Sequence, residues 1–181
     1  MKRAPSRREF LKGTAAVTAT AALAGQLNLA RVAHAAWSDV IKAVLIGCGG
    51  RGSGAIQDCL NADPAVKVIA VADAFEDRAQ GAAKRLRQQK DRCDLPDDRV
   101  FVGLDAYLKA LDTGADLVVT ATPPGFRPLV YSAAIKAGKH VFMEKPCCVD
   151  PVGYNILQSA NKMAEEKGLK VGVGFQRRHS P

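Results

Sequence analysis

From residue 41 onwards, short apolar runs alternate with amphipathic stretches. Val44-Leu45-Ile46, Val68-Ile69-Ala70-Val71-Ala72, Leu117-Val118-Val119 and Val141-Phe142-Met143 are continuous apolar blocks of strand length. Strands buried on both faces of a parallel sheet read this way, without polar alternation. Between them, apolar residues recur at helical spacing. The pattern predicts strands at 41–46, 66–72, 99–102, 116–121, 140–143 and 170–175, and helices at 52–61, 75–90, 104–111, 127–137 and 151–167. Gly138 and Gly168 stand where helices should stop. A polar stretch over 91–98, with Pro96 inside it, interrupts the alternation once. The expected class is α/β: a Rossmann-type, doubly wound parallel sheet with helices on both faces.

Residues 1–35 do not fit that pattern. A basic start (Lys2, Arg3, Arg7, Arg8, Lys12) leads into a small-residue, mildly apolar run, and Ala33-His34-Ala35 offers a cleavage site before Ala36. Ser6-Arg7-Arg8-Glu9-Phe10-Leu11-Lys12 matches the twin-arginine export pattern. The alternative, an uncleaved anchor, requires about 20 strongly apolar residues. The expected location is therefore periplasmic, or otherwise exported by the twin-arginine route, with no stable membrane association after cleavage. That route carries folded proteins, and a cofactor loaded in the cytoplasm gives a reason for using it.

The leader changes how the charge is read. It holds six of the 26 basic residues and one of the 18 acidic ones, so the remaining 146 residues carry 20 and 17, a net charge of +3 rather than +8. No aromatic–basic interleaving accompanies this, and no nucleic-acid partner is expected. The five cysteines (Cys48, Cys59, Cys93, Cys147, Cys148) are odd in number and lack metal-ligand spacing. Reduced thiols are expected and no metal site, with Cys48 and Cys59 as small apolar filler.

Candidate chemistry gathers at predicted strand ends. Gly47, Gly49 and Gly52 have the G-x-G-x-x-G spacing of a dinucleotide turn. One glycine permits the turn, one lets a pyrophosphate approach the backbone, and one lets the helix pack close; the helix N-terminus supplies free N–H groups. Asp73 ends the second strand, 21 residues after Gly52. It can accept hydrogen bonds from the adenosine ribose and repel a 2′-phosphate, favouring NAD over NADP, or it can cap the following helix. Arg78, one turn on, keeps NADP open. Thr122-Pro123 and Glu144-Lys145-Pro146 fall at two further strand ends. The Lys145 ammonium either binds a substrate hydroxyl beside the nicotinamide or is a solvated strand-end lysine.

GCGGRG at 47–52, VADAFEDRA at 71–79, TATPPGF at 120–126 and AGKHVFMEKP at 137–146 together resemble the Gfo/Idh/MocA oxidoreductase family, and the last is the most specific. The resemblance spans residues 40 to about 178 and includes the secreted branch of the family. It implies an NAD-dependent dehydrogenase acting on a sugar-like or polyol substrate, with Lys145 catalytic. It implies cofactor contacts from Gly47, Cys48, Gly49, Gly50, Arg51, Gly52, Asp73, Thr122, Pro123, Glu144 and Lys145, and a cis or shaped Pro146. Two other readings stand beside it: a redox-assisted glycosidase like the NAD-dependent α-N-acetylgalactosaminidase branch, and a non-catalytic NAD-binding fragment. The family's usual histidine after the T-P turn is replaced by Phe126-Arg127-Pro128, so Arg127 either takes over its contacts or leaves them unmade. The resemblance also implies a second, substrate-selecting domain. On this reading residues 36–175 are the dinucleotide-binding domain and 176–181 the start of a truncated substrate domain, in a protein that is a homo-oligomer at full length. His140 is expected to be structural and His179 exposed near the domain junction.

Overall fold

The computed structural model describes residues 40–178. The leader, the cleavage point before Ala36, His34 and His179 lie outside the described residues. The order is β1 (Ile41–Ile46), α1 (Gly50–Ala62), β2 (Val66–Asp73), α2 (Glu76–Arg87), β3 (Val100–Val102), α3 (Ala106–Leu111), β4 (Leu117–Thr120), α4 (Arg127–Lys136), β5 (His140–Met143), α5 (Pro151–Glu166) and β6 (Val171–Val173). Single 3₁₀ turns sit at Lys90–Arg92, Asp97–Arg99 and Gln176–Arg178. The strands form one sheet, β3-β2-β1-β4-β5-β6, with every pairing parallel. This is the doubly wound order, with its switch point between β1 and β4.

Both faces of the sheet are covered. Val44, Ile46 and Val118 face a core shared with Tyr131 and Ile135 of α4 and Leu157 of α5. Ala43, Leu45 and Val119 face the other core, with Ile56 and Leu60 of α1 and Leu86 of α2. The register of β1 on β2 slips by one residue between Ala43 and Val44. Hence Val71, rather than Ala70, continues the face begun by Val66 and Val68. Such a bulge re-aims the residues beyond it, and it lies just before Asp73.

Several boundaries differ from the sequence expectation for local reasons. α1 starts at Gly50 rather than 52, because Gly49 serves as its N-cap. α2 ends at Arg87 rather than 90. Arg87 donates to Leu95 O at 2.8 Å, and Arg92 donates to Leu60 O, Asp63 O and Val66 O, so the chain folds back against the β2 side. β6 keeps three of the six expected residues. Gly138 and Gly168 adopt φ of +74° and +65° just beyond α4 and α5, as their placement predicted.

Candidate cofactor and active site

A cavity of about 630 Å³ opens across the carboxyl ends of β1, β2, β4 and β5. Parallel sheets place ligands there because the two halves of the sheet diverge at the switch point. Gly47, Gly49 and Asp73 line its β1–β2 end, Thr122, Pro123, Glu144 and Lys145 its β4–β5 end, and Arg51 joins the two by reaching Glu144. Three of the expected contact residues do not line it. Cys48 points into the core, Gly50 lies in α1, and Gly52 packs under the turn.

The glycines divide by role. Gly47 has φ +90°, and a β-carbon there would sit 2.8 Å from the Ala121 carbonyl carbon. A β-carbon on Gly52 would lie 1.8 Å from Gly47 O, so α1 can rest on the turn only if this residue is bare. Gly49 and Gly50 have nothing within 4 Å of a β-carbon. No packing demands a glycine at 49. The bare backbone there faces the cavity at the start of a 13-residue helix, whose first N–H groups are free to bind a diphosphate. This cradle fits a dinucleotide.

Asp73 is 9 % exposed, and both its oxygens brace the turn. Oδ2 accepts from Cys48 N at 2.6 Å and Oδ1 from Phe75 N at 3.0 Å. The N-cap of α2 is Phe75, so Asp73 is not the helix cap that one reading of the sequence allowed. Each carboxylate oxygen keeps a further lone pair for a ribose hydroxyl. Arg78 stacks over the Phe75 ring at 4.8 Å. Burial, with the Asp73 charge second, pushes the Cys48 thiol up to about 12, and its sulfur donates to Ala72 O at 3.4 Å. All five cysteines are free thiols.

The other end is built from longer-range contacts. Thr120 is fully buried, with its hydroxyl 3.3 Å from that of Thr122. Glu144 is 2 % exposed and accepts from Arg51 Nε at 2.7 Å, which ties the glycine turn to the end of β5. The Glu144 carboxylate rests against the bare backbone of Gly174; a β-carbon there would stand 2.7 Å from Oε1 and the carboxylate would have to shift. Lys145 is exposed on the cavity, and the Lys145–Pro146 peptide is cis, one of the two shapes the resemblance implied. The side chain that sequence reasoning left open is Arg127. It is 3 % exposed and donates to both Thr122 O and Pro146 O. In the sequence it stood out only by replacing the family's usual histidine after the T-P turn.

Residues 41–175 match the model of the Gfo/Idh/MocA oxidoreductase family, NAD-binding Rossmann fold. The chain belongs to that family. Residues 4–24 match a twin-arginine translocation signal sequence, which indicates export by that pathway. Among curated relatives, scyllo-inositol 2-dehydrogenase (NAD(+)) of Bacillus subtilis is 26 % identical over 78 % of this chain and 37 % of its own. A glycosyl hydrolase family 109 protein of Streptomyces coelicolor is 34 % identical over 70 % of this chain and 26 % of its own. Among solved structures, scyllo-inositol dehydrogenase of Lactobacillus casei with bound NAD(H) and scyllo-inositol superposes with a TM-score of 0.60 at 23 % identity. That match covers 78 % of this chain and 38 % of the neighbour, and it supports the fold. The chain thus spans about two-fifths or less of the length of these relatives. The matched domain is an NAD-binding one, and NAD is the cofactor it points to, with NADP less favoured.

Proposed function

We propose that this chain is the cofactor-holding part of an exported NAD-dependent dehydrogenase that acts on a secondary hydroxyl of a sugar-like or polyol substrate, with Lys145 as its catalytic lysine. The observation that carries this reading is the shared cavity. The glycine cradle, Asp73 and the exposed Lys145 all open onto one space.

Bound NAD supplies the hydride acceptor. The N–H groups at the start of α1 hold the diphosphate. Asp73 accepts from the adenosine ribose and disfavours a 2′-phosphate. Thr122 and Pro123 form a wall, and Glu144 faces the ribose at the far end. Lys145 would take the proton of the substrate hydroxyl as the C–H bond breaks and its hydride leaves, and the ammonium so formed would hydrogen-bond to the oxygen. In reverse, it hands a proton to the carbonyl oxygen. Residues 36–175 form the dinucleotide domain, the protein works in the periplasm, and the full-length form is a homo-oligomer.

A glycosidase is the second reading, supported by the family 109 relative and by export, because a cofactor restored at each turnover suits a compartment poor in free NAD. The first test is calorimetric titration of the leader-free chain with NAD and NADP, alongside Asp73→Ala. Tight NAD binding that weakens in the variant supports the cofactor assignment, and absence of binding by a folded chain sinks it. With inositols, NADH release that Lys145→Met abolishes supports the dehydrogenase; glycoside cleavage without net NADH supports the second reading.

A further inference from the structure

Arg127 stands where a cation is least welcome. Its guanidinium is buried, and burial lowers its proton affinity. It opens α4, at the positive end of the helix dipole. No carboxylate lies within ion-pair distance of it among the described residues, and Glu144, paired with Arg51, acts on it only from farther away. A buried charge held at such a place must be offset by hydrogen bonds. Those bonds run to Thr122 O and Pro146 O, in two separate loops. Neither carbonyl can bond the other. Both loops are short of donors, because Pro123, Pro124 and Pro146 have no N–H.

We propose that Arg127 is a positioning residue for hydride transfer. It fastens the Thr122–Pro123 wall to the Lys145–Pro146 turn, and so fixes the Lys145 ammonium relative to the nicotinamide. The inference rests on the NAD reading of the cavity. The adenosine half, built on the glycine turn and Asp73, does not depend on Arg127.

The test uses the leader-free chain, NADH, and the variants Arg127→Lys and Arg127→Met. The glycine turn and Asp73 remain in Arg127→Met, so that variant is expected still to bind NADH, more weakly than the wild type because the wall Arg127 holds lines the same cavity. The enhanced, blue-shifted emission of NADH held in a fixed site is expected to be lost in that variant and partly kept in Arg127→Lys, which can still reach one carbonyl. Should Arg127→Met fail to fold, the wild type carries the test through its Arg127 Nε–H nuclear resonance. That signal is expected to shift on saturation with NADH. A folded Arg127→Met with wild-type emission overturns the proposal. So does an unmoved Arg127 signal while the Gly49 amide shifts. If neither Gly49 nor the emission responds, the cofactor reading itself has failed, and the proposal falls with it.

Discussion

The two ends of the cavity are made differently. The glycine-turn end is built from backbone: glycines without β-carbons, free helix N–H groups, and one carboxylate bracing the turn through Cys48 N and Phe75 N. The β4–β5 end is built from side chains that reach across the fold. Arg51 meets Glu144 from 93 positions away, and Arg127 clamps two proline loops. A backbone site tolerates no added atom where its glycines are packed, at 47 and 52, but has little charge to lose. A side-chain site is the reverse: its geometry depends on charges whose partners are individually removable.

The largest effect expected from this contrast is at Gly52. A methyl there collides with Gly47 O, and the backbone has no flexible side chain to move aside. Gly52→Ala is expected to cost about 3 kcal/mol or more, read as the drop in urea midpoint. At the other end, Arg51→Met leaves the Glu144 carboxylate buried without its partner. The full penalty for orphaning a buried ion does not apply, since about half of the Arg51 side chain is in solvent. A loss of about 2 kcal/mol is expected, and Glu144→Gln in the same background should recover most of it. Failure of that rescue would mean the pair holds the two loops by shape rather than by charge.

Gly49→Ala separates ligand geometry from packing. A methyl there meets no protein atom, and φ of −64° suits alanine. Stability should stay within about 0.5 kcal/mol. The methyl projects where a diphosphate would lie, so NAD affinity should fall about tenfold, worth about 1.4 kcal/mol. Unchanged calorimetric affinity would show that the ligand does not approach the turn at this residue.

The contrast also explains what could be read from the chain. The glycine turn, Asp73 at a strand end and the alternation of strands and helices were legible because each depends on neighbours in sequence: a φ only glycine tolerates, a strand ending in an acid, apolar runs separated by helices. The bulge in β2 was not legible, because Val68-Ile69-Ala70-Val71 is apolar throughout and carries no phase. The early start of α1 was hidden because Gly50 reads as turn. Lys145 stood out at a strand end, where a solvated lysine reads the same way, and only the resemblance of AGKHVFMEKP favoured a role for it. The ties of Glu144 and Arg127 are tertiary, and nothing next to them in sequence announces a partner.

The smallest effect compares two thiols, one at each end. Burial raises both Cys48 and Cys147. At Cys48 the Asp73 carboxylate adds to the rise, to about 12, whereas at Cys147 the Arg127 guanidinium works against it. An unfolded cysteine loses its proton near 9.0, so the unfolded chain sheds the Cys48 proton first as pH rises. Stability from this group is therefore complete below pH 9 and is lost between 9 and about 12, because the folded state there holds more protons than the unfolded one. By pH 10 the loss is about 1 kcal/mol. Lysines and tyrosines titrate in the same range, so the informative quantity is the difference between wild type and variant in denaturant midpoints at pH 8 and pH 10. Cys48→Ala should flatten the alkaline decline, and Cys147→Ala should flatten it less. A larger flattening from Cys147→Ala would invert the comparison and mean that burial at Cys147 outweighs the opposing Arg127 charge by more than burial and Asp73 together achieve at Cys48.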